Sequence, residues 1–166
     1  MNAETMTAPA YPVIREAADA PMHADMVRLF DYWRAIAPPD ALPGRCHFDP
    51  LVIADLLPRV WLLDVFREPF RLRYRLCGTK LVEALGQDPT GRWLDEVHDG
   101  VRDPRYIDRY RHMADEGVAT WRRGRANFQH DKEWIVLENL VVPFAADGRT
   151  VDLLLALTRR HDSQGA

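Results

Sequence analysis

The segment FRLRYRL, residues 70–76, alternates without a break. Phe70, Leu72, Tyr74 and Leu76 are apolar or aromatic, and Arg71, Arg73 and Arg75 lie between them. A period of two belongs to an extended chain, whose successive side chains point to opposite faces. One face of this strand is therefore buried and the other is wet. The bulky apolar run VWLLDVF, residues 60–66, precedes it, and Arg67, Glu68 and Pro69 form the turn between them. Together they predict an antiparallel hairpin. The period then changes. Thr79 is placed to cap a short helix over residues 80–85, and Gly86 to end it in a left-handed residue before the loop QDPTGR.

The flanking segments read in the same way. Met22, Met26, Leu29, Phe30, Trp33 and Ile36 recur at three-to-four spacing, which predicts a helix over 22–36 that ends at Pro38-Pro39. In DPLVIADLLP, Asp49 is a good N-cap and Pro50 suits the first helical position, so a two-turn helix is expected before Pro58. Residues 93–97 suit a single turn. Asp103-Pro104 repeats the cap signal for a helix carrying Tyr106, Ile107, Tyr110, Met113 and Ala114 on one face, ending at Gly117. Three further strands follow at 118–128, 133–144 and 150–158, with turns at QHDK and AADGR. Two strands, several short helices and three more strands predict an α+β fold: a five-stranded antiparallel sheet with short helices on one face and an extra N-terminal helix. Residues 21–160 form one expected domain, between mobile tails at 1–20 and 161–166.

Composition narrows the chemistry. The formal net charge is −3, which gives no bulk attraction to nucleic acid or to an acidic membrane. There is no membrane-length apolar run. The N-terminus lacks the basic start and apolar core of a signal peptide, so a cytoplasmic location is expected. The only serine is Ser163, in the polar tail, which argues against a serine nucleophile. No glycine-rich phosphate loop occurs. Cys46 and Cys77 sit in no metal-ligand spacing, and Cys46, His47 and Asp49 lack a spaced partner pair. No metal site is expected.

The hairpin, short helices and three-strand meander resemble the PAS domain family. The resemblance is carried by GTKLVEALGQDPTGRWLDEV (residues 78–97), by Tyr32-Trp33, by Asp49-Pro50 through Pro58, by FRLR with Gly78-Thr79, and by the LENLVVPF strand (137–144). It spans about residues 26–158 and is similar to compact, stand-alone bacterial members of the family. In that fold the sheet hands the chain to short helices that wrap one face, and Gly78, Gly86 and Gly91 are expected at backbone turns, where glycine allows positive φ.

The resemblance implies a sensory or regulatory protein, not an enzyme, with no output segment of its own. Its expected partners are a small-molecule ligand, a signalling protein and a second copy of the chain. The N-terminal helix offers the apolar stripe for that homodimer. A PAS cavity lies between the helices and the inner sheet face. Candidate wall residues are Leu72, Tyr74, Trp93, Tyr106, Tyr110, Trp121 and Leu140, which alternatively just fill the core. Any cofactor is left unknown. Haem needs an axial ligand, yet His112 falls about 120° from the stripe of its helix. The Asn-Cys-Arg-Phe run of flavin-binding photosensory members is missing.

Glu138 interrupts an apolar strand and shares its alternation with Trp134, Val136, Leu140 and Val142. Two readings stand. Facing inward, it anchors a ligand or pairs with an arginine such as Arg123, or supplies the acid of a small proton-transfer isomerase, which would need a pocket and a raised pKa. Facing outward, it is a wet-face group opposite Arg73 or Arg75. The arginines at 71, 73, 75, 122, 123 and 125 likewise form either a phosphate-binding cluster or a solvated face balanced by acids. A third overall reading is a ligand-free dimeric adaptor with a filled core.

Overall fold

The computed structural model describes residues 11–125 and 135–161. Residues 1–10 and 162–166 of the expected tails, and the QHDK turn, lie outside the described residues. The strands are β1 (Val13–Ile14), β2 (Val60–Arg67), β3 (Phe70–Cys77), β4 (Ala119–Arg125), β5 (Val136–Phe144) and β6 (Leu153–His161). The helices are α1 (Ala24–Ile36), α2 (Thr79–Leu85), α3 (Leu94–Val97) and α4 (Pro104–Glu116). All strands pair antiparallel in one sheet, in the order β1-β4-β5-β6-β2-β3. The fold is thus α+β, with the expected hairpin at one edge and the expected meander beside it.

The sixth strand was not anticipated. Val13 and Ile14, expected in a mobile tail, pair with Thr120 and Ala119, and Ile14 is 2% exposed. Two residues are too few to show a period, so only the sheet edge reveals this strand.

Alternation divides the core between two faces. On the outer face, Val60, Leu62, Trp121, Leu140, Val142, Phe144, Leu153 and Leu155 pack with Met26, Leu29 and Phe30 of α1. On the inner face, Leu63, Leu72, Tyr74, Val141 and Leu154 pack with Leu94, Tyr110 and Met113 from the short helices. The sheet is therefore covered on both sides, by α1 on one and α2–α4 on the other. The stripe of α1 is spent on its own sheet: Met26, Leu29 and Phe30 are all at most 1% exposed, and Trp33 Nε1 donates to Pro143 O at 2.8 Å. The motive for a homodimer through this stripe is met inside the chain.

Helix limits follow local chemistry. Asp103 accepts from Arg105 N at 3.0 Å to start α4, and Gly117 ends it at φ 64°. Asp49 accepts from Leu51 N at 2.9 Å as expected. The segment it starts is a pair of 3-10 turns, Pro50–Ile53 and Leu57–Arg59, rather than an α-helix. Gly86 and Gly91 have φ of 77° and 84°, as a turn role requires, but Gly78 does not: it caps α2 at φ −64°. Its need for glycine is steric, since a Cβ there would lie 2.4 Å from Leu57 O and 2.5 Å from Pro58 O.

The hairpin departs from strict alternation once. Leu62 pairs with Leu76 but Leu63 pairs with Tyr74, so Arg75 is the extra residue of a β-bulge. Beyond the bulge the faces exchange. Leu76, expected inside with Tyr74, is 46% exposed, and Cys77 turns inward.

Candidate functional site

The inner face does not fill completely. A cavity of about 650 Å³ lies between it and α2–α4. That is the size of a small-molecule site. Three expected residues line it: Tyr74 from β3, and Tyr106 and Tyr110 from α4. Other wall groups, Trp61, His98 and Arg109 among them, were not anticipated.

Its wall carries charged side chains, Arg109 and Arg122 among them, and polar groups bonded to each other. Thr158 Oγ1 accepts from Trp61 Nε1 at 2.8 Å and from Asn139 Nδ2 at 3.0 Å. Tyr74 Oη lies 2.9 Å from His98 Nε2. Burial holds the Tyr74 hydroxyl well above its usual pKa and pushes His98 down to about 4. Both are therefore neutral at pH 7, and they share one hydrogen bond between phenol and imidazole. Burial also pushes the Cys77 thiol up to about 11, which makes it a poor nucleophile.

His98 makes stability depend on pH. The unfolded chain takes a proton near pH 6.5, but the folded chain only near 4. Between those values the unfolded state holds more protons, so stability falls as pH drops through the window and is flat above it. The full loss is about 3 kcal/mol. Urea titrations from pH 4 to 7 should show this slope in the parent and a shallower one in His98→Gln.

The remaining expected site residues lie elsewhere. Trp93 sits on the outer side of β3, 5.2 Å from the Phe66 ring and 4.3 Å beneath the Arg71 guanidinium. Backbone pairing draws it there: Tyr74 N donates to Arg92 O at 2.9 Å, and Trp93 bridges Arg73. Trp121 and Leu140 belong to the outer core. Arg123 is exposed beside them, and its neighbour Arg122 reaches the cavity instead, because one step along a strand changes the face.

Glu138 is also on the outer side, 0% exposed. Its Oε1 accepts from His23 N at 2.7 Å and Trp121 Nε1 at 2.9 Å, and its Oε2 lies 2.7 Å from His161 Nε2. Burial raises the carboxyl pKa, but these three donors outweigh it, and the net shift is downward. Neither expected alternative describes it. It is buried and paired, without an arginine, and it joins the start of α1 to the end of β6. A proton-transfer role required a pocket and a raised pKa; Glu138 does not line the inner-face cavity, and its pKa is lowered.

The arginines of β3 are balanced by acids. Asp64 lies 3.5 Å from Arg73 and 2.7 Å from Arg75, and Asp95 lies 3.0 Å from Arg71. His112 is exposed, as its helical angle implied. Around Cys46, His47 Nδ1 accepts from Gly44 N at 2.9 Å. No group of three or more potential metal ligands occurs among the described residues.

Arg109 is the wall residue with the clearest missed signal. Tyr106, Arg109, Tyr110 and Met113 stand at i, i+3, i+4 and i+7, so the arginine lies on the apolar stripe itself. It is 9% exposed.

Among the described residues no helix is long and apolar enough to cross a membrane. No curated protein matches the sequence. A family model described as the PAS domain matches residues 22–158, from the residue before His23 to the last inward threonine of β6. That match covers most of the chain, and the antiparallel sheet with its hairpin, short helices and meander agrees with it: the chain belongs to the PAS domain family.

Proposed function

We propose that this PAS domain is a sensory module that binds a small molecule in the inner-face cavity and acts through another protein chain, without catalysis of its own. The observation that carries this reading is the cavity of about 650 Å³. It has aromatic walls, while α1 packs against the core on the other face of the same sheet. A site of this kind buries most of a small ligand, and a few placed polar groups orient it. Supporting the non-catalytic reading, the buried acid that was the best enzyme candidate lies on the other face, held ionised by three donors.

Native mass spectrometry of the purified full chain tests the reading. A co-purifying small molecule is expected. It should be lost in Ala84→Trp, which places an indole at the cavity wall from an exposed position and so leaves the melting temperature nearly unchanged. A bare chain that also gains no melting temperature from any member of a metabolite library would overturn it. Light scattering on the same samples shows whether the receiving chain is a second copy.

A further inference from the structure

Among the described residues, the only buried side-chain nitrogen or oxygen without a hydrogen-bond partner is Arg109 Nη2. The side chain lines the cavity. Its Nε donates to Thr120 Oγ1 at 2.9 Å, which fixes the plane of the guanidinium. The Tyr11 and Tyr110 rings lie 4.6 and 5.9 Å from its central carbon. No carboxylate among the described residues forms an ion pair with it.

This arrangement needs an explanation. A guanidinium keeps its proton at ordinary pH, so burial strands a full charge. Burial, and then the like charge of Arg122, push the Arg109 pKa down, which shows that its surroundings oppose the charge. Cation–ring contacts offset only part of that cost. A methionine or leucine would pack this stripe position without it.

Resting on the ligand-binding reading above, we infer that the cavity takes an anionic amphiphile, a carboxylate on an apolar or aromatic body, with its charged end held by Arg109 Nη2. A carboxylate suits one spare nitrogen edge as a charge-assisted acceptor. Beyond Arg109 the wall continues through Tyr74, Leu94, Val101 and Tyr110, which suit an apolar body.

Calorimetric titration of the full chain tests this with matched pairs: octanoate against octanamide, and 1-naphthylacetate against 1-naphthylacetamide. At least one acid should bind at least about tenfold tighter than its amide, the scale of one charge-assisted contact. In Arg109→Met and Arg109→Gln the acid and the amide should bind equally. A second readout needs no ligand. If the guanidinium waits for an anion, ligand-free Arg109→Met melts at or above the parent, because an unpartnered buried charge is gone. If the guanidinium is structural, it melts below. Equal binding of acid and amide to the parent overturns the inference and leaves the cavity reading intact. Failure of all four probes overturns the inference, and the cavity reading then falls only if the chain is also bare and unmoved by the metabolite library. A preference for acids that survives both substitutions, or a lowered melting point in ligand-free Arg109→Met, overturns the inference alone.

Discussion

Replacing Glu138 with alanine should cost this protein about 3–5 kcal/mol of stability, the usual penalty for breaking a buried charged contact from one side. Its carboxylate is inaccessible to water and meets three donors: the His23 amide, the Trp121 indole and the His161 imidazole. Alanine would leave them facing a void. The damage would spread, because His23 caps α1 and His161 ends β6. Glu138→Gln fills the space but sets an NH2 group against donors, so a loss of about 1–3 kcal/mol is expected. Urea titration at pH 7 measures both. Cavity binding should persist in Glu138→Gln, since the site is on the other side of the sheet. The pH dependence gives a further check. The folded-state pKa is depressed, so this stabilisation is present above the ordinary carboxylate range and is lost as pH falls through the folded value. The glutamine variant should lack that acid limb. An alanine variant within about 0.5 kcal/mol of the parent, as at a surface site, would show that the three-donor arrangement is absent.

Tyr110→Ala should be comparably severe, at about 3–5 kcal/mol, as for other large buried aromatics. Tyr110 is 3% exposed and packs among Leu72, Tyr74, Leu94 and Met113 while also lining the cavity. Truncation therefore removes core contacts and enlarges the site at once. Tyr110→Phe separates the two effects: it keeps the ring, so stability should stay close to the parent. Thermal melts and ligand titrations on both variants provide the measurement. An unchanged melting temperature in Tyr110→Ala would place this face of α4 outside the core.

The segments that were legible in the sequence are those whose own period or caps decide them. The alternation of residues 70–74 and the stripe of Met26, Leu29 and Phe30 each appear as strand and helix. Asp103-Pro104 and Gly117 bound α4 as their backbone chemistry requires. Tyr106 and Tyr110 reach the cavity because helical spacing sets their side.

Where the reading failed, the deciding quantity was nonlocal. One extra residue at Arg75 exchanged Leu76 and Cys77 between faces. Trp121, Glu138 and Leu140 share an inward pattern in the sequence, and inward they are, yet toward the side of the sheet opposite the cavity. A period of two shows that a strand has a buried face. It cannot say which of two buried faces that is when helices cover both. Trp93 was drawn outward by backbone pairing with Arg73.

The sequence by itself therefore determined the elements, their order and the family they spell, because these depend on contacts between residues near each other in the chain. Only the tertiary structure decided which side of the sheet holds the cavity, that α1 packs on the other side, and that Arg109 is buried in the cavity wall with a nitrogen unpaired. Those outcomes depend on register and on layers brought together from distant segments, and a side chain's cost or use in them is set by neighbours that its local sequence does not name.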